Sequence, residues 1–105
     1  MTTIIEVFDM NEEERKYILE GIVEVIKDME ARYPAIQLEN GMLNLIYNRY
    51  KLAYKIIEEK KVEDKIIYIN GGVRAYLDAY SDWDNPLLVK MGHVEDMYRK
   101  YIMSK

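Results

Sequence analysis

The sequence predicts an all-α protein: a small helical bundle of about four helices, with residues 2–8 as a short N-terminal extended arm or strand. Three observations predict it. Apolar residues recur at spacings of three and four along most of the chain, the period of a helix with one buried face. The only two prolines, Pro34 and Pro86, stand where those patterns break. Hydrophobic residues make up 50% of the chain and charged residues 32%, the balance of a packed globule and not of a disordered tail. At 105 residues, one domain spanning 1–105 is expected.

The elements follow in order. Thr2 to Phe8 is β-branched and aromatic, suited to an extended arm lying on the core, though a lone strand has few partners here. Asp9 and Glu12 have capping-box spacing, so the first helix is expected to begin at Asp9. Its buried stripe is Ile18, Ile22, Val25, Met29 and Tyr33, and Pro34 ends it, because the residue before proline resists the helical region. Glu39-Asn40-Gly41 reads as a turn. The second helix is expected from Met42 to Lys61, with Leu43, Ile46, Tyr50, Ala53 and Ile57 as its stripe. A second stripe, Met42, Leu45, Leu52 and Ile56, widens the apolar arc, while Asn44, Asn48, Lys51 and Lys55 mark the solvent face. Residues 62–80 read two ways. Ile66, Ile69, Val73, Leu77 and Tyr80 have helical spacing, but Asn70-Gly71-Gly72 interrupts them and residues 65–69 suit a hairpin strand. Ala75 and Ala79 favour a helix with a weak or broken point at Gly71-Gly72. Asn85 and Pro86 then form an N-cap and first helical residue, opening a last helix to Met103 with Leu87, Met91, Val94, Tyr98 and Tyr101 inward.

Composition narrows the function classes. There is no cysteine, so disulfides and thiolate metal sites are excluded. Residues 1–8 lack the basic start of a secretory signal, and no apolar run reaches the roughly 20 residues a bilayer demands. A cytoplasmic location without membrane contact is the expectation. The net charge of −4 disfavours nucleic acid as a partner. Charge alternates by segment, with ten acids and four bases over residues 1–39 but two acids and five bases over 40–61. Packed as neighbours, such helices meet with opposite sign, which aids register and solubility.

Few residues carry readable chemistry. His93, the sole histidine, precedes Asp96 by one helical turn, but one histidine without a Glu-x-x-His partner is a poor metal set, and an exposed helix histidine is the stronger reading. Glu20, Glu24 and Asp28 recur every fourth residue and read as a solvated acidic face. Gly71-Gly72-Val73-Arg74 offers a phosphate-binding turn at a helix start, against which a helix break is the stronger account. Tyr47, Arg49, Tyr50, Lys51, Tyr54 and Lys55 interleave bases with aromatics, as single-strand binders do, yet Tyr50 lies on the apolar stripe. No cofactor motif and no nucleophile constellation stands out, so the expectation is a protein that is not an enzyme and holds no cofactor.

The unusual feature is ten tyrosines against one phenylalanine. Tyrosine pairs an apolar body with a polar tip, which suits half-buried edges and interfaces. Tyr76, Tyr80 and Trp83 cluster with Asp78, Asp82 and Asp84. Tryptophan and tyrosine dominate protein contacts, and the acids suit a basic partner surface. These six residues are the candidate partner-binding site, weighed against Trp83 plugging its loop onto the core. The function expected is a small acidic protein-interaction module, a regulator, inhibitor or adaptor; an inhibitor of phage or mobile-element origin falls in that class. The alternatives are a homo-oligomeric structural protein and a weak nucleic-acid binder through the basic face of the second helix. A small ligand near Gly71–Arg74 is a further alternative.

Overall fold

The structure is a computed structural model that describes residues 11–59, 69, 71–80 and 83–103. It is all-α, and among the described residues there is no strand. The segments expected as arm or strand, residues 2–8 and 65–68, lie outside the described residues, as does Asp9.

Helix α1 spans Glu12–Arg32. Its cap is a capping box displaced by two residues from the expected one. The Asn11 side chain accepts from the Glu14 N–H at 2.8 Å, and Glu14 Oε1 accepts from the Asn11 N–H at 3.3 Å. Both pairs have the required spacing. With Asn11 outside the helix, Glu12, Glu13 and Glu14 all fall in the first turn, where negative charge meets the positive end of the helix dipole. Tyr33 is extended, φ −122°, as the following proline demands, and closes the helix.

A single turn, α2 (Ala35–Leu38), lies between the proline and the Glu39–Gly41 turn and carries Leu38 into the core. Helix α3 then spans Gly41–Glu58. Gly41 adopts φ +63°, the left-handed conformation that glycine enters without a Cβ penalty. Helix α4 spans Gly72–Tyr80 and α5 spans Pro86–Tyr98, continuing as a π-helical turn over Arg99–Met103. Of the two glycines at which the helical pattern was expected to weaken or break, the second begins α4. Gly71 takes φ +91°, a conformation no continuing helix contains.

Helix α1 packs between α3 and α5, and α4 closes over both. The predicted stripes form the core: Ile18, Ile22, Val25 and Met29 meet Leu43, Ile46, Tyr50, Ala53 and Ile57 on one side and Leu87, Met91 and Val94 on the other. Ile69 and Tyr76 complete it. Helices α1 and α5 cross closely at Gly21, where an added Cβ would lie 2.7 Å from Met97 Cε and 3.0 Å from Val94 Cγ2. The second stripe of α3 divides. Ile56 is buried and Met42 half-buried, but Leu45 and Leu52 are exposed.

Two polar residues depart from their expected surroundings. Asp28 is not part of a solvated face: its side chain is 6% exposed and lies between Arg32 Nη2 and Lys90 Nζ, at 2.8 and 2.9 Å. Burial alone would raise its pKa, but the hydrogen bonds and charges of Lys90 and Arg32 outweigh that and hold the carboxyl below the ordinary value. Asn44 is half-buried, and its amide donates to the Leu38 carbonyl at 2.9 Å, tying α2 to α3.

Candidate docking surface

The candidate residues are positioned by a buried polar network at the junction of α1, α4 and α5. The Tyr33 and Tyr76 hydroxyls lie 2.6 Å apart. Asn85 Nδ2 donates to both, at 3.1 Å to Tyr33 and 2.8 Å to Tyr76. Asn85 Oδ1 accepts from the Leu87 N–H at 2.9 Å, which caps α5. One buried side chain therefore sets the start of α5 and joins it to two tyrosines from other helices. A buried network of this kind specifies a geometry because leaving any member unpaired is costly. The loop between α4 and α5, which carries Trp83, is anchored at this point.

From that anchor the candidate residues separate into two groups. Tyr76 is 2% exposed and belongs to the network beneath the surface. Tyr80, one turn later, is 43% exposed, its ring tilted 44° against that of Tyr76 with centroids 4.9 Å apart. Trp83 is 73% exposed, so it does not plug the loop onto the core. Asp78 and Asp84 are exposed, with no hydrogen-bond or ion-pair partner among the described residues. Asp82 lies outside the described residues. Tyr76 and Tyr80 also border a shallow groove of about 660 Å³, with Tyr33, Leu43, Gln37 and Asn40 as its other walls. The spacing of Tyr76, Tyr80 and Trp83 was legible in the sequence. The contributions of Tyr33 and Asn85 were not, because their partners come from distant parts of the chain.

The other candidates have local explanations. The start of α4, read as a phosphate-binding turn, already holds an anion: Glu95 Oε2 accepts from the Val73 N–H at 2.8 Å, and Glu95 is itself buried. An external phosphate would have to displace that carboxylate. The space beside Gly72 is bounded by Met91 Cε at 3.2 Å and Glu95 Oε2 at 3.4 Å, so close helix packing accounts for this glycine. The aromatic residues of α3 are not equally accessible. Tyr50 is 1% exposed, and burial first, then the Glu95 charge, holds its hydroxyl far above the usual tyrosine range. The Tyr47 hydroxyl donates to Glu30 at 2.5 Å, which raises its pKa, and Lys51 Nζ lies 4.8 Å above its ring. His93 is exposed, while Asp96 is engaged with Arg99. Among the described residues, no group of three histidine or carboxylate side chains could hold a metal ion. No helix among them is long and apolar enough to cross a membrane.

Fold and surface together define a small helical bundle with an exposed tryptophan on a pinned, acid-flanked loop. Residues 11–105 match the family described as YeeD uncharacterised protein, and the chain belongs to that family. No curated protein matches the chain, and no solved structure does.

Proposed function

We propose that this chain is a protein-interaction module, a cytoplasmic regulator, inhibitor or adaptor that acts by docking through Tyr80 and Trp83 onto a partner with a basic surface. The observation that carries the reading is Trp83, 73% exposed on a loop that Asn85 anchors. An exposed indole held on a fixed backbone buries a large area on contact at little cost in ordering. Asp78 and Asp84, unpaired among the described residues, supply charge that a basic partner would meet. Tyr76, Tyr33 and Asn85 support the surface from below and do not contact the partner.

The test is affinity capture with tagged protein from a nuclease-treated lysate of its own host. Wild type, Trp83→Ala and the pair Asp78→Lys with Asp84→Lys are compared at low and high salt. The reading expects one stoichiometric protein retained by wild type, lost with Trp83→Ala, and weakened by the lysine pair and by salt. Equal recovery by all three would refute it. A second reading, self-association, is favoured by Leu45 and Leu52, exposed one heptad apart on α3. Its signature is a mass that doubles with concentration in light scattering and returns to monomer in Leu52→Lys.

A further inference from the structure

Helix α4 is held to the bundle differently from the others. It has 9 residues, about 13 Å at ~1.5 Å per residue. Tyr76 is its one buried side chain, with Val73 and Leu77 half-buried, where α3 and α5 bury six residues each. A helix this short is not stable in water by itself, so α4 is helical only while docked. Two polar latches dock it. At its start, Glu95 Oε2 accepts from the Val73 N–H at 2.8 Å. One turn on, the Tyr76 hydroxyl lies 2.6 Å from that of Tyr33 and accepts from Asn85 Nδ2 at 2.8 Å. Water can take over each of these bonds when α4 leaves, which it cannot do for the apolar contacts among α1, α3 and α5.

Beneath the start of α4 lie two groups that the closed arrangement penalises. The Tyr50 hydroxyl is buried without a hydrogen-bond partner among the described residues. The Tyr50 ring stands beside Gly72, where an added Cβ would be 3.8 Å from Tyr50 Cε1 and 3.4 Å from Glu95 Oε2. The Glu95 carboxylate is itself buried, with Oε1 3.7 Å from Arg99 Nη1. A buried hydroxyl without a partner and a buried carboxylate both regain hydration once water reaches them. Glu95 also keeps Arg99 beside it when Val73 leaves. Departure of α4 therefore releases a stored penalty, while α1, α3 and α5 stay packed on one another. We propose that α4 is a strap that opens as one unit from an otherwise folded bundle, latched by Glu95 at its start and by Tyr76 at its middle. The open state has no Tyr76–Tyr80 pair, so a partner that grips Tyr80 in its docked position selects the closed state. The opening itself does not depend on whether Tyr80 and Trp83 dock a partner.

The test is native-state hydrogen exchange of the intact chain, followed by NMR at rising urea below the unfolding transition. The amides of Leu77, Asp78, Ala79 and Tyr80 should exchange together, at least a hundredfold faster than those of Val25 and Met29 after correction for intrinsic rates, and with little dependence on urea. The α1 amides should follow the urea dependence of global unfolding. Tyr50→Phe removes the hydroxyl that regains water on opening, and should slow α4 exchange at least threefold. Glu95→Ala removes a latch and should speed it at least fivefold. Ile18→Val, in the core of the first half of α1, should speed exchange at Val25 and Met29 at least threefold and leave α4 unchanged, because α1 stays packed in the open state. An α4 that shares the rate and urea dependence of α1 would overturn the proposal, as would rates that fall steadily from Tyr80 inward, the mark of fraying. So would α4 exchange that ignores Tyr50→Phe and Glu95→Ala, or that follows Ile18→Val.

Discussion

Replacing Asn85 with alanine removes a cap and two buried hydrogen bonds at once. The capping bond to the Leu87 N–H is 2.9 Å, and loss of an asparagine N-cap costs about 1 kcal/mol. The bonds from Nδ2 to the Tyr33 and Tyr76 hydroxyls contribute about 1 kcal/mol each, although the two hydroxyls keep each other as partners at 2.6 Å. The expected loss is therefore about 2–3 kcal/mol, or a fall in Tm of roughly 10–20 °C for a domain of this size. Asn85→Ser separates the contributions, because serine caps a helix comparably but lacks the amide that bonds both tyrosines; it should lose about 1–2 kcal/mol, the part those two bonds contribute. Urea and thermal unfolding followed by far-UV circular dichroism give both values. Trp83, the only tryptophan, reports on the loop through acrylamide quenching of its fluorescence. An Asn85→Ala protein within about 0.5 kcal/mol of wild type would show that the network does not hold this junction, and the argument for a rigidly presented Trp83 would fail with it.

Asp28→Asn should cost about 1–3 kcal/mol at neutral pH, less than a fully buried pair because Arg32 and Lys90 are partly exposed. The Asp28 pKa is lowered by folding, so its contribution is complete above the ordinary value of 3.8 and is lost as pH falls through the lower folded value. The gap between wild type and Asp28→Asn in urea unfolding should accordingly close below about pH 4, and a gap that widens there would contradict the assignment. The Tyr50 hydroxyl has no hydrogen-bond partner among the described residues, so Tyr50→Phe should leave Tm unchanged or raise it; a loss above about 1 kcal/mol would show that the hydroxyl is bonded. Gly21→Ala adds a Cβ against the flexible tip of Met97 and the stiff Val94. Overpacking of about 1–3 kcal/mol set against a helix gain of about 0.5–1 leaves a net loss of roughly 0.5–2, and stabilisation in thermal unfolding would refute the close crossing.

The apolar stripes of the three long helices were legible because burial follows the helical period. Ile18, Ile22, Val25 and Met29, then Leu43, Ile46 and Tyr50, then Leu87, Met91 and Val94 are all in the core as their spacing requires. The start of α1 was harder, since Asp9 with Glu12 and Asn11 with Glu14 both satisfy the capping rule and spacing alone does not choose. Asp28 was misread because its neighbours Glu20 and Glu24 are exposed. Its ion pair depends on Lys90, which only tertiary packing brings near, although Arg32 one turn on was a visible hint. The same holds for Glu95, which closes the start of α4 from another helix. At the candidate site, pattern reading found the aromatic cluster but could not divide it into a buried Tyr76 and an exposed Trp83. That division depends on Asn85, which the sequence marked only as a cap.

The docking account is tested most directly by photo-crosslinking in the host, with a photoreactive amino acid placed at position 83 and, in a second strain, at position 52. The account predicts one discrete adduct from position 83, of a mass that is not twice that of the chain, and none from position 52. A doubled mass from position 52 with nothing from position 83 would contradict it and establish self-association through α3 in its place.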